Sequence, residues 1–117
     1  MTFQEETLDP QDWDELRALG HRMVDDMLTY LQTVRDRPVW QPIPNDVKDQ
    51  LRQPLPTEPQ GADQAYQDFV TNVLPHPMGN IHPRFWGWVI GTGTPFGALS
   101  EMLAATINPN MGGGDHV

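Results

Sequence analysis

The sequence predicts a mainly α-helical chain, built from about three helices joined by proline-rich connectors, and three observations carry that reading. Apolar residues recur at three-and-four spacing from Trp13 to Val34 (Trp13, Leu16, Leu19, Met23, Val24, Met27, Leu28, Leu31, Val34), a stripe sustained over about six turns. Two sites, Asp9-Pro10 and Thr94-Pro95, pair a capping side chain with proline, the usual opening of a helix. No internal repeat and no alternation of strands with helices is present that would signal a parallel sheet.

The first helix is expected to begin with Asp9 as cap and Pro10 at the first helical position. Asp12, Asp14 and Glu15 then stand favourably against the macrodipole. Arg35 and Arg37 sit at its negative end, and Pro38 closes it. Gly20 lies inside this helix, where it costs roughly 1 kcal/mol relative to alanine. It is either a tolerated surface glycine or the mark of a close helix–helix crossing, and the crossing is the favoured reading. Met23 and Met27 read as core filler.

Between Pro38 and Gly61, six prolines (Pro38, Pro42, Pro44, Pro54, Pro56, Pro59) leave room for a helical turn or two only at Asn45 to Arg52, with Val47 and Leu51 inward. A second helix is expected from about Ala62 to Leu74, with Tyr66, Phe69, Val70 and Val73 on one face and Pro75 as its stop. Phe85, Trp86, Trp88, Val89 and Ile90 suit a short extended segment breaking into the Gly91-Thr92-Gly93 turn. The third helix follows Thr94-Pro95, carries Phe96, Leu99, Met102, Leu103 and Ile107, and stops at Asn108-Pro109. The architecture reads as unfinished: another copy of the chain, or further chain, must bury the long stripe.

Composition excludes several functions. The chain has 117 residues, a formal net charge of −9, and seven Lys and Arg against sixteen Asp and Glu. No basic stripe is available for nucleic acid, and an anionic membrane surface is disfavoured. No apolar run approaches the roughly 20 residues of a membrane-spanning helix. Met1 to Thr7 is acidic and polar, unlike a secretory or mitochondrial leader, so a cytoplasmic location is the default. Cysteine is absent, which removes disulfides, thiolate chemistry and cysteine-based zinc sites.

The candidate site residues are few. His76 and His82 each precede proline in loops, His116 sits near the end, and His21 lies on the first helix; together they lack the spacing of a metal site. The Gly91-Thr92-Gly93-Thr94-Pro95 turn reads first as a flexible turn with a cap and second as an anion seat. Trp86 and Trp88 suit core or interface anchors, or equally the wall of a pocket for a planar ligand. Lys48 is the sole lysine and lies in the connector without a burial signal, so Schiff-base chemistry has no evident seat.

Several stretches together resemble the start of group II pyridoxal-phosphate-dependent decarboxylases, the aromatic-L-amino-acid decarboxylase family. They are Leu19-Gly20-His21-Arg22-Met23-Val24-Asp25, then Tyr30-Leu31 and Val34-Arg35-Asp36-Arg37-Pro38-Val39, then His82-Pro83-Arg84-Phe85-Trp86-Gly87-Trp88, and finally Pro95 to Asn110. Each is moderately specific, and their order and spacing from about Leu8 to Val117 make the match. The resemblance implies the N-terminal helical arm of a fold-type I enzyme that packs across the partner subunit of a homodimer. Residues 1–75 would form that arm, with a connector at 38–61, and residues 76–117 a pocket loop and helix leading toward a cofactor domain.

By position, the resemblance places Trp88, Val89 and Ile90 in the loop that contacts the side chain of an amino-acid substrate. Ile90 stands where the family often has proline, and Trp88 where tyrosine is commoner. Asn110 and Gly112 fall where the family sends residues into the neighbouring active site. Gly112-Gly113-Gly114 departs from the bulkier pattern of the animal enzymes and is similar to a bacterial branch. Everything else the chemistry needs, including the phosphate cradle, a histidine, an aspartate and the Schiff-base lysine, is expected beyond Val117. This segment would then supply dimer contacts and pocket walls to a decarboxylase that uses pyridoxal 5′-phosphate, and would be inactive alone. A stand-alone helical protein-interaction module is the alternative, and an aminotransferase-like or aldehyde-forming activity on the same fold is a third reading.

Overall fold

The computed structural model describes residues 7–115. Readings placed on Met1 to Glu6, and on His116 and Val117, lie outside the described residues. Four α-helices follow in order: α1 Trp13–Gln32, α2 Asn45–Leu51, α3 Ala62–Asp68 and α4 Pro95–Ile107. A short 3-10 turn, Val34–Asp36, follows α1, and α3 runs on into a π-helical turn, Phe69–Val73. The stretch from Phe85 to Gly93 is extended and bent, and no strand occurs among the described residues.

The start of α1 differs from expectation. Asp12, not Asp9, is the cap: its carboxylate accepts from the amides of Asp14 (2.8 Å) and Glu15 (3.1 Å). Asp9 instead donates its own amide to Thr7 Oγ1 (3.1 Å), so Pro10 stands outside the helix. One carboxylate that satisfies two orphan amides outweighs proline's preference for the first helical position. The end differs too. Thr33 closes α1 by donating both its amide (3.0 Å) and its hydroxyl (2.8 Å) to the Thr29 carbonyl. Arg37 is already extended, as a residue before proline should be, so Arg35 and Arg37 do not line the last turn of α1. The Arg37 guanidinium lies over the Tyr30 ring, 4.3 Å from its centre.

α2 forms where the connector allows it, with Val47 half-buried, but Leu51 is 54% exposed and does not face inward. In α3 and its π-helical extension, Tyr66 and Val70 are half-buried and Phe69 and Val73 more open; the Tyr66 and Phe69 rings stack at 6.4 Å. The widened turn is closed by the Leu74 amide on the Phe69 carbonyl (2.9 Å). α4 matches its sequence signals: Thr94 Oγ1 accepts from the Gly97 amide (3.0 Å), Pro95 opens the helix, and Asn108 ends it in the left-handed conformation.

The chain exposes 10495 Å², against roughly 6,400 Å² for a compact monomer of its mass. Its radius of gyration is 18.4 Å, where a compact chain of this length would have about 13 Å. Leu19 is the buried apolar side chain among the described residues, while Phe96, Leu103 and Ile107 of α4 are 78%, 64% and 74% exposed. The unfinished architecture read from the stripe is thus what the chain adopts.

Distant parts are joined by polar contacts instead. Gln41 Nε2 donates to the Pro75 carbonyl (2.8 Å), and His82 Nε2 meets the Arg37 carbonyl (3.1 Å). Between them Gly79, at φ +90°, lies flat on the connector, and a Cβ built there would stand 1.8 Å from the Val39 carbonyl oxygen. Gly79→Ala is therefore expected to cost more than about 2 kcal/mol, from both the left-handed backbone and the clash. Gly20→Ala, with nothing within 4 Å of the new methyl, should instead stabilise the chain by up to about 1 kcal/mol. Chemical denaturation of the two variants checks both signs.

Candidate functional site

Two places offer a site: the loop from Phe85 to Gly93, and an apolar hollow between α1, the α3 extension and α4. The loop has a fixed backbone and outward side chains. At its stem, the Arg84 amide donates to His82 Nδ1 (3.0 Å) and the Phe85 amide to the His82 carbonyl (2.9 Å). At its return, Asn80 Nδ2 donates to the Gly91 carbonyl (3.2 Å). Gly87 passes close to the Phe85 ring, whose Cζ would be 2.9 Å from an added Cβ. Trp88 adopts a φ of +42°, an uncommon backbone for a bulky residue.

Trp86, Trp88 and Val89 then face solvent at 93%, 79% and 104% exposure, and Ile90 is partly covered at 40%. Of the two readings of the tryptophans, the core anchor does not hold within this chain; a wall or interface remains. Asn110 and Gly112 sit in the exposed turn after α4, where Asn110 Oδ1 accepts from the Gly112 amide (2.8 Å). Among the described residues no hydrogen bond joins this turn to the Trp88–Ile90 segment, so the chain presents the two sets of residues separately.

The hollow encloses about 470 Å³ and is walled by Met23, Met27, Tyr30, Phe69, Leu99 and Met102, with Gly20 at its margin. The close crossing expected at Gly20 is therefore not formed within the chain: α4 stands off from α1 and leaves space. Met23 and Met27 border that space instead of filling a core. On the rim, Tyr66 donates to Asp26 Oδ2 (2.6 Å), and Arg22 pairs with Asp63 while lying over the Tyr66 ring at 5.8 Å. Desolvation pushes the Tyr66 phenol above its ordinary value; the hydrogen bond to Asp26 and that carboxylate's charge add to the rise, and Arg22 opposes it. The pattern of polar Arg22 and Asp26 beside apolar Met23 and Met27 was the available signal for this rim.

The histidines divide by role. His21 is exposed, His76 carries a buried Nδ1 without a partner, and both ring nitrogens of His82 are engaged by backbone groups. Among the described residues no three His, Asp or Glu side chains converge on a point. Lys48, the sole lysine of the sequence, is exposed on α2 and is not an enclosed amine. The turn before α4 spends the Gly97 amide on Thr94, as the capped-turn reading requires. No helix among the described residues is long and apolar enough to cross a membrane.

A search of family models gives no match. Tryptophan decarboxylase 2 of Oryza sativa subsp. japonica is 30% identical over 105 residues, which are 89% of this chain and 21% of that protein. The chain is similar to one end of plant aromatic amino-acid decarboxylases. Tyrosine decarboxylase 1 of Narcissus pseudonarcissus is 28% identical over 86% of the chain, and phenylacetaldehyde synthase of Arabidopsis thaliana 32% over 84%. The chain spans about a fifth of the length of each relative. The fold matches the N-terminal part of a solved tryptophan decarboxylase of Catharanthus roseus, crystallised with L-tryptophan. That match has a TM-score of 0.68 and 24% identity, and covers 87% of this chain and 22% of that one. The helical arm with connectors expected from the sequence is the arrangement found.

Two outcomes follow from the site itself. Because the Tyr66 phenol is raised in the folded chain, the stability it contributes is complete below about pH 10 and is lost as pH rises through its folded value. Denaturation from about pH 8 to about pH 11 should show that loss, and Tyr66→Phe should remove it. Trp88→Gly should leave stability within about 1 kcal/mol of the parent or raise it, since it relieves a left-handed backbone and gives up little packing. Thermal unfolding of that variant is the check.

Proposed function

We propose that this chain is the N-terminal arm of a pyridoxal-phosphate-dependent aromatic amino-acid decarboxylase, a carboxy-lyase, in which it supplies pocket walls and dimer contacts. The observation that carries the reading is the similarity, near 30% over almost the whole chain, to the plant decarboxylases. The displayed loop supports it: Trp88, Val89 and Ile90 would meet the side chain of the amino-acid substrate, and an aromatic wall suits a planar one. Asn110 and Gly112, presented apart from that loop, would reach the active site of the other subunit. Residues 1–75 form the dimerisation arm and residues 76–117 the pocket-bearing part. A second copy would cover α4 and the α1 stripe, whose exposure leaves much apolar surface to bury. The location proposed is cytoplasmic, without a nucleic-acid or membrane partner.

The chain's own residues do not fit the covalent cofactor role. Lys48 is exposed on α2 with Asp46 and Asp49 beside it in sequence, not held in a desolvated or cationic site. The cofactor, an electron sink for the carbanion left by carbon dioxide loss, is thus assigned to residues outside this chain. What this chain does is exclude water from, and orient, the substrate side chain. The similarity to phenylacetaldehyde synthase favours a second reading, an aldehyde-forming reaction on the same scaffold.

The test uses the longer protein that contains this segment, supplied with L-tryptophan, L-tyrosine or L-phenylalanine, with carbon dioxide and aldehyde measured separately. Carbon dioxide without aldehyde is expected, and Trp88→Ala should lower kcat/KM about tenfold, about 1.4 kcal/mol of transition-state binding. Aldehyde as a main product would favour the second reading. No turnover of any aromatic amino acid, together with a sharp cooperative thermal transition of the 117-residue chain alone, would replace both with a stand-alone interaction module.

A further inference from the structure

We propose that His82 is the positioning residue of the tryptophan loop, acting as a neutral clasp in a single tautomer. The residue is 4% exposed, and its ring touches no outward side chain of the loop by hydrogen bond. Instead it joins two backbone groups 47 positions apart: Nε2 lies 3.1 Å from the Arg37 carbonyl oxygen, and Nδ1 lies 3.0 Å from the Arg84 amide nitrogen. A backbone amide only donates and a carbonyl only accepts, so the proton must sit on Nε2 and Nδ1 must be bare. The opposite tautomer loses both bonds. A doubly protonated ring keeps the first and sets two N–H groups against each other at Arg84.

The surroundings leave the ring no other place. The His82 amide donates to the Gly79 carbonyl (2.9 Å) and the Phe85 amide to the His82 carbonyl (2.9 Å), so His82 is the hinge between two consecutive turns. Gly79 is pressed onto the Val39 carbonyl, and Gln41 holds Pro75, which fixes residues 75–82 on the 37–41 connector. From that base both ends of the loop are held: the Arg84 amide by His82, and the Gly91 carbonyl by Asn80. Residues 86, 88 and 89 project away from it, so the ring acts on whatever they meet only through the backbone. The substrate-wall reading above is needed only for what the loop touches, not for how it is held.

The amide isosteres separate the two bonds. His82→Asn can place an oxygen near the Nδ1 position and keep an acceptor for Arg84, while His82→Gln can place a nitrogen near Nε2 and keep a donor for Arg37. The measurement is nitrogen NMR of the histidine rings and amide hydrogen exchange in the full chain, with α1 amides as reference. The expected result is a bare Nδ1 and a protonated Nε2 at His82. Exchange at the Arg84 amide should accelerate at least about tenfold in His82→Ala and in His82→Gln, and be largely restored in His82→Asn.

A protonated Nδ1, or equal exchange at Arg84 in all three variants, overturns the proposal. If His82→Ala also loses α1 protection, the ring nitrogen shifts of the parent chain decide: a bare Nδ1 supports the clasp and a protonated one removes it. Neither readout involves turnover, so a failed clasp and a failed decarboxylase reading are told apart.

Discussion

Residues 75–82 lie against residues 37–41, and the rest of the arrangement depends on that seam. It is made of main chain and of polar side chains aimed at main chain: Gln41 on Pro75, His82 on Arg37, and a glycine flattened onto a carbonyl. Apolar burial dominates most folded domains, but among the described residues it is confined to Leu19 and to half-covered faces. A hydrogen bond shielded from water contributes modestly when made and costs more when broken. The seam therefore acts chiefly as a constraint on geometry. It sets where α1 exits, where α3 ends and where the loop begins, while contributing little of the cohesion that a filled core would supply.

The cohesion has to come from elsewhere, and the surface shows how much is missing. Roughly 4,000 Å² beyond that of a compact monomer is exposed, and the outer side chains of α4 form part of it. Even a fraction of that area exceeds the size of an ordinary protein–protein interface per partner. The hollow between α1 and α4 belongs to the same incompleteness: its walls include three methionines, adaptable groups that tolerate whatever closes the gap.

Local structure was legible in the sequence wherever it is set by neighbours along the chain. Thr94-Pro95 and Asn108 bound α4, Gly61 and Pro75 bracket α3 with its extension, and Asn45 to Leu51 is helical because prolines exclude helix on either side. The misplaced cap at Asp9 shows the limit: two Asx residues three apart compete for one helix start, and only geometry reveals which carboxylate reaches the free amides. Leu51 and Gly20 show another. Periodicity marks which residues share a face, but it does not say whether anything stands opposite. The roles of His82 and Asn80 were illegible because their partners are main-chain groups, which carry no sequence signature. For the proposed pocket residues, the resemblance pointed to Trp88, Val89 and Ile90, and the structure adds a tethered backbone that displays Trp88 and Val89 outward and leaves Ile90 partly covered.

The left-handed backbone at Trp88 also restricts the alphabet available to that position. A β-branched residue there would crowd its γ atoms against its own main chain, whereas glycine, asparagine or an unbranched residue meets less resistance. Changes in this loop are thus channelled: valine and isoleucine are admitted at positions 89 and 90, as they stand, but opposed at 88. Shape diversification among proteins built on this loop should accordingly run through ring size and polarity at one position and through aliphatic branching at the next two.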